Sequence, residues 1–190
     1  MKEVTIKPFK KVLVANRGEI AIRVFRALNE LEITTVAVFS KEDRYALFRS
    51  KADEAYPLSE DKGPIDAYLD IDTIIKIALN AGVDAIHPGY GFLSENPDFV
   101  DACERNGITF IGPSSDIMNA MGDKISSKQM AIEADVPIIP GVDHAIKELD
   151  EAKKIAQQVG FPIMLKASNG GGGRGMRIVN NAEDMPKEYR

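Results

Sequence analysis

Residues 12–21 read Val12-Leu13-Val14-Ala15-Asn16-Arg17-Gly18-Glu19-Ile20-Ala21. Four apolar residues in unbroken succession suit a strand covered on both faces, as in a parallel sheet, rather than a strand with one wet face. The polar turn that follows opens an amphipathic helix predicted over 18–32. Ile20, Val24, Ala27, Leu28 and Leu31 recur at helical spacing, while Glu19, Arg23, Arg26 and Glu30 share a different face. Strand, turn and helix make the first half of a βαβ unit.

The unit recurs outward. A strand is predicted over 34–40, a helix over 71–81 closed by Gly82, a strand over 83–87, a helix between Asn96-Pro97 and Asn106-Gly107, and a strand over 108–111. Such alternation needs right-handed crossovers and predicts an α/β fold with an open, Rossmann-like parallel sheet covered by helices. After a helical stretch over 114–134, the segment Pro137-Ile138-Ile139-Pro140-Gly141 reads as a linker, dividing the chain into domains 1–136 and 137–190. The second domain is expected to hold a helix over 147–159, a strand over 162–167, a glycine run, a strand over 176–179 and a helix starting near Ala182-Glu183-Asp184. One helix and one hairpin close a core poorly, so this domain reads as incomplete.

The 190 residues carry 24 basic and 29 acidic side chains, and 44% of them are hydrophobic. That balance fits a globular chain and argues against nucleic acid or an anionic membrane surface as the main partner, so a bound anion must be held by local groups. Cys103 stands alone, no apolar run reaches membrane-spanning length, and the start lacks a signal-peptide core, which makes the cytoplasm the expected location. Two histidines and one cysteine assemble neither a zinc site nor a Ser-His-Asp set, and no residue is assigned as a metal ligand. Cys103, four residues after Phe99 on the apolar helix face, reads as core.

Chemistry concentrates in Lys166-Ala167-Ser168-Asn169-Gly170-Gly171-Gly172-Gly173-Arg174-Gly175-Met176-Arg177. Successive glycines let backbone N–H groups approach phosphate oxygens while flanking cations balance the charge, which an inert linker would not need. Gly170, Gly172 and Gly175 satisfy G-x-G-x-x-G, but that fingerprint opens a helix and here a strand follows. No Gly-Lys-Ser/Thr closes the run either; strand, glycine loop and strand is the arrangement of a flap over nucleotide phosphates. Lys166 alternates with Phe161, Ile163 and Leu165 and so stands beside Met164, next to the loop. Lys124, in Met121-Gly122-Asp123-Lys124, places a cation in a first helical turn, where the dipole disfavours it; it reads either as directed at a ligand or as simply exposed. His87 to Asn96 falls at the carboxyl end of a predicted parallel strand, where open sheets bind ligands. His87, Tyr90 and Glu95 are the candidates there, with a packed turn as the competing reading, and Asn16-Arg17-Gly18-Glu19 holds the equivalent place after the first strand.

Val14 to Ala21, His87 to Asn96, Phe110-Ile111-Gly112-Pro113, Met121 to Lys124 and Lys166 to Arg177, in this order and spacing, resemble the biotin carboxylase component of biotin-dependent carboxylases across nearly the whole chain. Phe48 to Tyr56 and Gly63 to Ile71 look most like the pyruvate carboxylase subfamily, with Phe48 standing where that subfamily often has histidine. The resemblance implies a preATP-grasp domain followed by the truncated start of an ATP-grasp domain. It implies an enzyme that uses ATP with Mg²⁺ (or Mn²⁺) to activate bicarbonate and carboxylate biotin carried on another domain; in the named subfamily carboxybiotin then converts pyruvate to oxaloacetate.

By this resemblance Lys124 and Lys166 match ATP-phosphate lysines, and Gly170, Gly171, Gly172, Gly173 and Gly175 match the lid over ATP. Arg23, Arg26 and Glu30 match positions of a dimer contact, and His87, Tyr90 and Glu95 stand near bicarbonate or biotin. The family's adenine hinge, Mg²⁺ ligands, catalytic base and bicarbonate-holding arginine match nothing here, so the chain is expected to be an inactive amino-terminal fragment of a homo-oligomeric enzyme. A biotin carboxylase subunit of acetyl-CoA carboxylase and a non-catalytic nucleotide-binding module are the competing readings.

Overall fold

A computed structural model describes residues 8–122, 124–138, 142, 144, 146–166 and 175–189. The chain divides into two compact units, residues 1–119 and 120–190. The boundary read from the sequence, after residue 136, lies within the second of them.

In the first unit β1 (Lys11–Val14), β2 (Thr34–Phe39), β3 (Glu54–Pro57), β4 (Ala85–His87) and β5 (Thr109–Phe110) form a parallel sheet in the order β3-β2-β1-β4-β5. Helix α1 (Gly18–Glu30) joins β1 to β2, α2 (Ile71–Ala81) precedes β4, and α3 (Pro97–Arg105) joins β4 to β5. The expected open α/β sheet is present.

The unbroken apolar run of β1 is explained by what covers it. Val12 and Val14 pack with Ala21, Phe25 and Leu28 of α1, whereas Leu13 and Ala15 pack with Ile74 and Ala78 of α2 and Phe99 and Cys103 of α3. Side chains alternate across a strand, so both parities must be apolar when both faces are covered. Each large aliphatic buried this way contributes about 2 kcal/mol of transfer free energy.

Helix α1 buries a stripe displaced from the predicted one. Ala21, Phe25 and Leu28 face the sheet, Ala27 is exposed, and Leu31 is 69% exposed because the helix has already ended at Glu30. Helix α2 starts on Asp70, whose Oδ1 accepts from the Thr73 N–H at 3.3 Å, and stops at left-handed Gly82. Helix α3 starts on Asn96, whose Oδ1 accepts from the Phe99 N–H at 3.0 Å, with Pro97 in its first turn.

Strand β3 was not predicted. It pairs with β2 alone and ends in Pro57, so it is an edge strand that neither needs an apolar run nor loses a ladder bond to proline. Within the predicted helical stretch 114–134, residues 115–122 (α4, Ser115–Gly122) and 124–133 (α5, Lys124–Glu133) are helical, and Asp123 lies outside the described residues.

In the second unit β6 (Ile163–Lys166) and β7 (Met176–Val179) pair antiparallel. Ala152 and Ala156 of α6 (Leu149–Val159) meet Val179 and, just beyond the hairpin, Met185 of α7 (Met185–Glu188), with Phe161, Ile163 and Leu165 packed against them. The opposite face of the hairpin, formed by Met164, Lys166, Met176 and Ile178, is exposed. Among the described residues no helix is long and apolar enough to cross a membrane.

Candidate active-site corner and family

From β1 the chain builds outward to β2 and β3, then returns to place β4 on the other side of β1, with Val14 opposite His87. The crevice beyond the carboxyl ends of strands at such a reversal is where open α/β sheets bind ligands. The loops there are Ala15 to Arg17 and Pro88 to Asn96.

Asn16 joins these two loops. Its side chain is 5% exposed; Nδ2 donates to the Pro88 carbonyl at 2.8 Å and to the Tyr90 carbonyl at 2.9 Å, while Oδ1 accepts from the Arg17 N–H at 2.9 Å. Gly89 lies between the two carbonyls at φ +66°, and a Cβ there would stand 2.5 Å from Asn16 Nδ2. The position therefore needs glycine both for its backbone conformation and for the close approach.

Arg17 continues the tie sideways. Its Nε and Nη2 donate to Asp43 Oδ2 and Oδ1 at 2.6 and 2.5 Å, and its guanidinium carbon lies 5.8 Å from the centre of the Tyr68 ring. Tyr68 donates its hydroxyl to Asp43 Oδ2 at 2.7 Å, accepts from the Ser40 N–H at 3.2 Å, and stacks on Phe92 with ring centres 5.2 Å apart. Burial raises the Asp43 pKa, but the Arg17 and Tyr68 hydrogen bonds outweigh it and hold the carboxyl below its ordinary range. The Tyr68 hydroxyl is pushed far up, first by burial and then by Asp43. Four segments that follow β1, β2, β3 and β4 in the chain are thus cross-linked by Arg17, Asp43, Tyr68 and Phe92.

The structure brings His87 and Tyr90 together at this corner. His87 is half-buried, its Nδ1 accepts from the Gly89 N–H at 3.0 Å, and burial lowers its pKa. Tyr90 is 64% exposed, with its hydroxyl 3.4 Å from Glu19 Oε1. Glu95 is exposed further along the same loop. Asn16, Arg17, Asp43 and Tyr68 were not singled out as site residues in the sequence. The turn position of the first two was visible, but Asp43 and Tyr68 carry no local signal.

Lys166 ends β6 opposite Met176, exposed on the uncovered face of the hairpin. Lys124 is the first residue of α5. Gly170, Gly171, Gly172 and Gly173 lie outside the described residues, as does Asp123, while Gly175 leads into β7 at φ +74°. Arg23, Arg26 and Glu30 are exposed on α1, where Arg26 Nε meets Glu30 Oε1 at 3.2 Å. Cys103 is fully buried and its thiol is raised to about 12, mainly by burial, which suits core and not nucleophile.

Residues 8–118 match the family model for the biotin carboxylase N-terminal domain, and residues 123–190 match that for the carbamoyl-phosphate synthase L chain ATP-binding domain. The mitochondrial pyruvate carboxylase of Mus musculus is 53% identical over 189 residues, and the pyruvate carboxylase of Bacillus subtilis 56% identical over 180. The chain spans 16% of the length of these relatives, while the alignments cover 100% and 95% of the chain. Among solved structures, the biotin carboxylase domain dimer of Hydrogenobacter thermophilus 2-oxoglutarate carboxylase, in complex with MgADP, ADP and bicarbonate, superimposes with a TM-score of 0.87 at 50% identity, covering 97% of this chain and 40% of that one. Rhizobium etli pyruvate carboxylase with acetyl coenzyme A gives 0.80 at 53% identity, covering 96% of this chain and 16% of that one. A parallel sheet whose reversal is closed by the Asn16 and Arg17 ties, together with a family match across residues 8–118, means that this chain belongs to the biotin carboxylase N-terminal domain family.

Proposed function

We propose that these residues serve the first half-reaction of a pyruvate carboxylase, in which ATP and bicarbonate carboxylate biotin carried on another domain. The observation that carries this reading is 50–56% identity to carboxylases along almost the whole chain, against a shared sheet and hairpin. Phe48 to Tyr56 and Gly63 to Ile71 support the pyruvate branch over a free-standing subunit of acetyl-CoA carboxylase.

The second unit fits a nucleotide. Its hairpin leaves Met164, Met176 and Ile178 exposed beside the cation of Lys166, an apolar and cationic face of the kind a purine and its phosphates require. Lys166, Lys124, the glycines 170–173 and Gly175 would hold ATP; Mg²⁺, when bound with ATP, neutralises phosphate charge. Among the described residues no group of acidic, histidine or cysteine side chains is placed to hold a metal. His87, Tyr90 and Glu95 are assigned to the neighbourhood of bicarbonate or biotin. The exposed Arg23, Arg26 and Glu30 are assigned to a homodimer contact, and the cytoplasm is the proposed compartment.

On this reading the 190-residue chain alone does not turn over. Phosphate release from ATP by the purified chain is expected to be unchanged by bicarbonate and free biotin; clear stimulation by both would overturn the assignment of catalytic groups to chain outside these residues.

A further inference from the structure

Asn16 and His87 act on the same three-residue turn. Asn16 grips it through the carbonyls of Pro88 and Tyr90, and the amide of the intervening Gly89 points its N–H at His87 Nδ1. An amide N–H is a donor only, so the nitrogen that receives it carries no proton. The imidazole is then neutral, with its single proton on Nε2. No described hydrogen bond engages Nε2, and burial acts in the same direction by disfavouring the charged ring.

A carboxamide is required at position 16. Nδ2 supplies two protons to two carbonyl oxygens, and Oδ1 accepts the Arg17 N–H. A carboxylate of the same shape would face two carbonyl oxygens with no proton to offer. The only side chain small enough opposite Nδ2 is that of glycine.

We propose that Asn16 is the positioning residue of this corner, and that through the 88–90 turn it presents His87 as a neutral Nε2–H donor toward a ligand oxygen acceptor, such as the carbonyl of a cyclic urea or a carboxylate. The donor cannot at the same time serve as the base that removes a proton from that ligand. Tyr90, carried on the gripped carbonyl, is held in the same frame.

This role rests on reading the 87–95 loop as substrate-facing, yet its test needs no substrate. Long-range ¹H–¹⁵N spectra of the ¹⁵N-labelled 190-residue chain contain imidazole signals from His87 and His144 alone, and His144→Gln assigns them. At neutral pH His87 should show an unprotonated Nδ1 and a protonated Nε2. The opposite tautomer, or a charged ring, would overturn the donor assignment. Asn16→Asp should erase the tautomer preference and move the Tyr90 ring resonances; a folded Asn16→Asp chain with wild-type His87 and Tyr90 signals would overturn the positioning role. If that variant does not fold, Gly89→Ala, which sets a methyl against Asn16 Nδ2, is read by the same two criteria. These outcomes are independent of carboxylase activity, so a failure here leaves the proposed function standing, and loss of that function leaves the tautomer result standing.

Discussion

Arg17 and Asp43 form a two-pronged ion pair, Nε to Oδ2 at 2.6 Å and Nη2 to Oδ1 at 2.5 Å, with the carboxylate 6% exposed and the guanidinium about half exposed. Removing the arginine leaves a buried charge with, among the described residues, only the Tyr68 hydroxyl as a side-chain partner. Fully buried pairs lose 3–5 kcal/mol on such truncation; solvent around Arg17 reduces the expected cost of Arg17→Ala to about 2 kcal/mol. Chemical denaturation measures it, and the Arg17→Ala, Asp43→Ala double variant should lose less than the sum of the singles. Strict additivity would contradict the coupling.

Acid stability follows from three carboxylates held below their ordinary 3.8. Asp43 is described above; Asp53 accepts the Thr35 N–H and hydroxyl at 2.8 and 2.7 Å, and Asp70 overcomes its burial through Lys62, Thr73 and Ser59. A depressed folded pKa gives stability that is present above the unfolded value and is lost as pH falls through the folded one. Thermal unfolding should therefore be insensitive to these groups near neutrality and fall steeply below about pH 4. Asp70→Ala should cost about 1–2 kcal/mol at pH 7 through loss of the α2 cap, and should flatten the acid limb. An unchanged acid limb in that variant would remove Asp70 from the explanation.

Gly82 and Gly89 share φ +66° and differ in their surroundings. A Cβ on Gly82 meets nothing within 4 Å, so Gly82→Ala should cost only the left-handed backbone penalty, about 1 kcal/mol. On Gly89 the same methyl would collide with Asn16 and with Ile20 Cγ2 at 2.9 Å, and the expected cost is about 3 kcal/mol or more. Equal losses in paired denaturation curves would show that the turn yields without strain.

Ser40 Oγ is buried and, among the described residues, has no hydrogen-bond partner. A desolvated hydroxyl without a partner is unfavourable, so Ser40→Ala should be neutral or stabilising by up to about 1 kcal/mol. A loss of that size instead would reveal a partner for the hydroxyl.

Much of the first unit was legible because its strands are covered on both faces, which forces apolar runs such as Val12 to Ala15, and because Gly82, Asn96 and Pro97 mark helix ends by local chemistry. Strand β3 was not, since pairing on one side only imposes no apolar pattern. The candidate corner was half legible. His87 and Tyr90 could be placed at a strand end, but Asn16 meets Pro88 across 72 residues, and only the sheet order that sets β1 beside β4 brings them together. The turn holding Arg17 was visible, but its partners Asp43 and Tyr68 were hidden for the same reason.

The proposal that these residues serve the biotin carboxylase half-reaction of a pyruvate carboxylase is tested most directly by a segment exchange. The corresponding segment of Bacillus subtilis pyruvate carboxylase, 56% identical over 180 residues, is replaced by this chain, and ATP cleavage dependent on bicarbonate and biotin is measured in the purified, biotinylated chimera. The account predicts retained activity that falls by about tenfold or more with Lys166→Ala. A folded, biotinylated chimera without bicarbonate-dependent cleavage of ATP would contradict it.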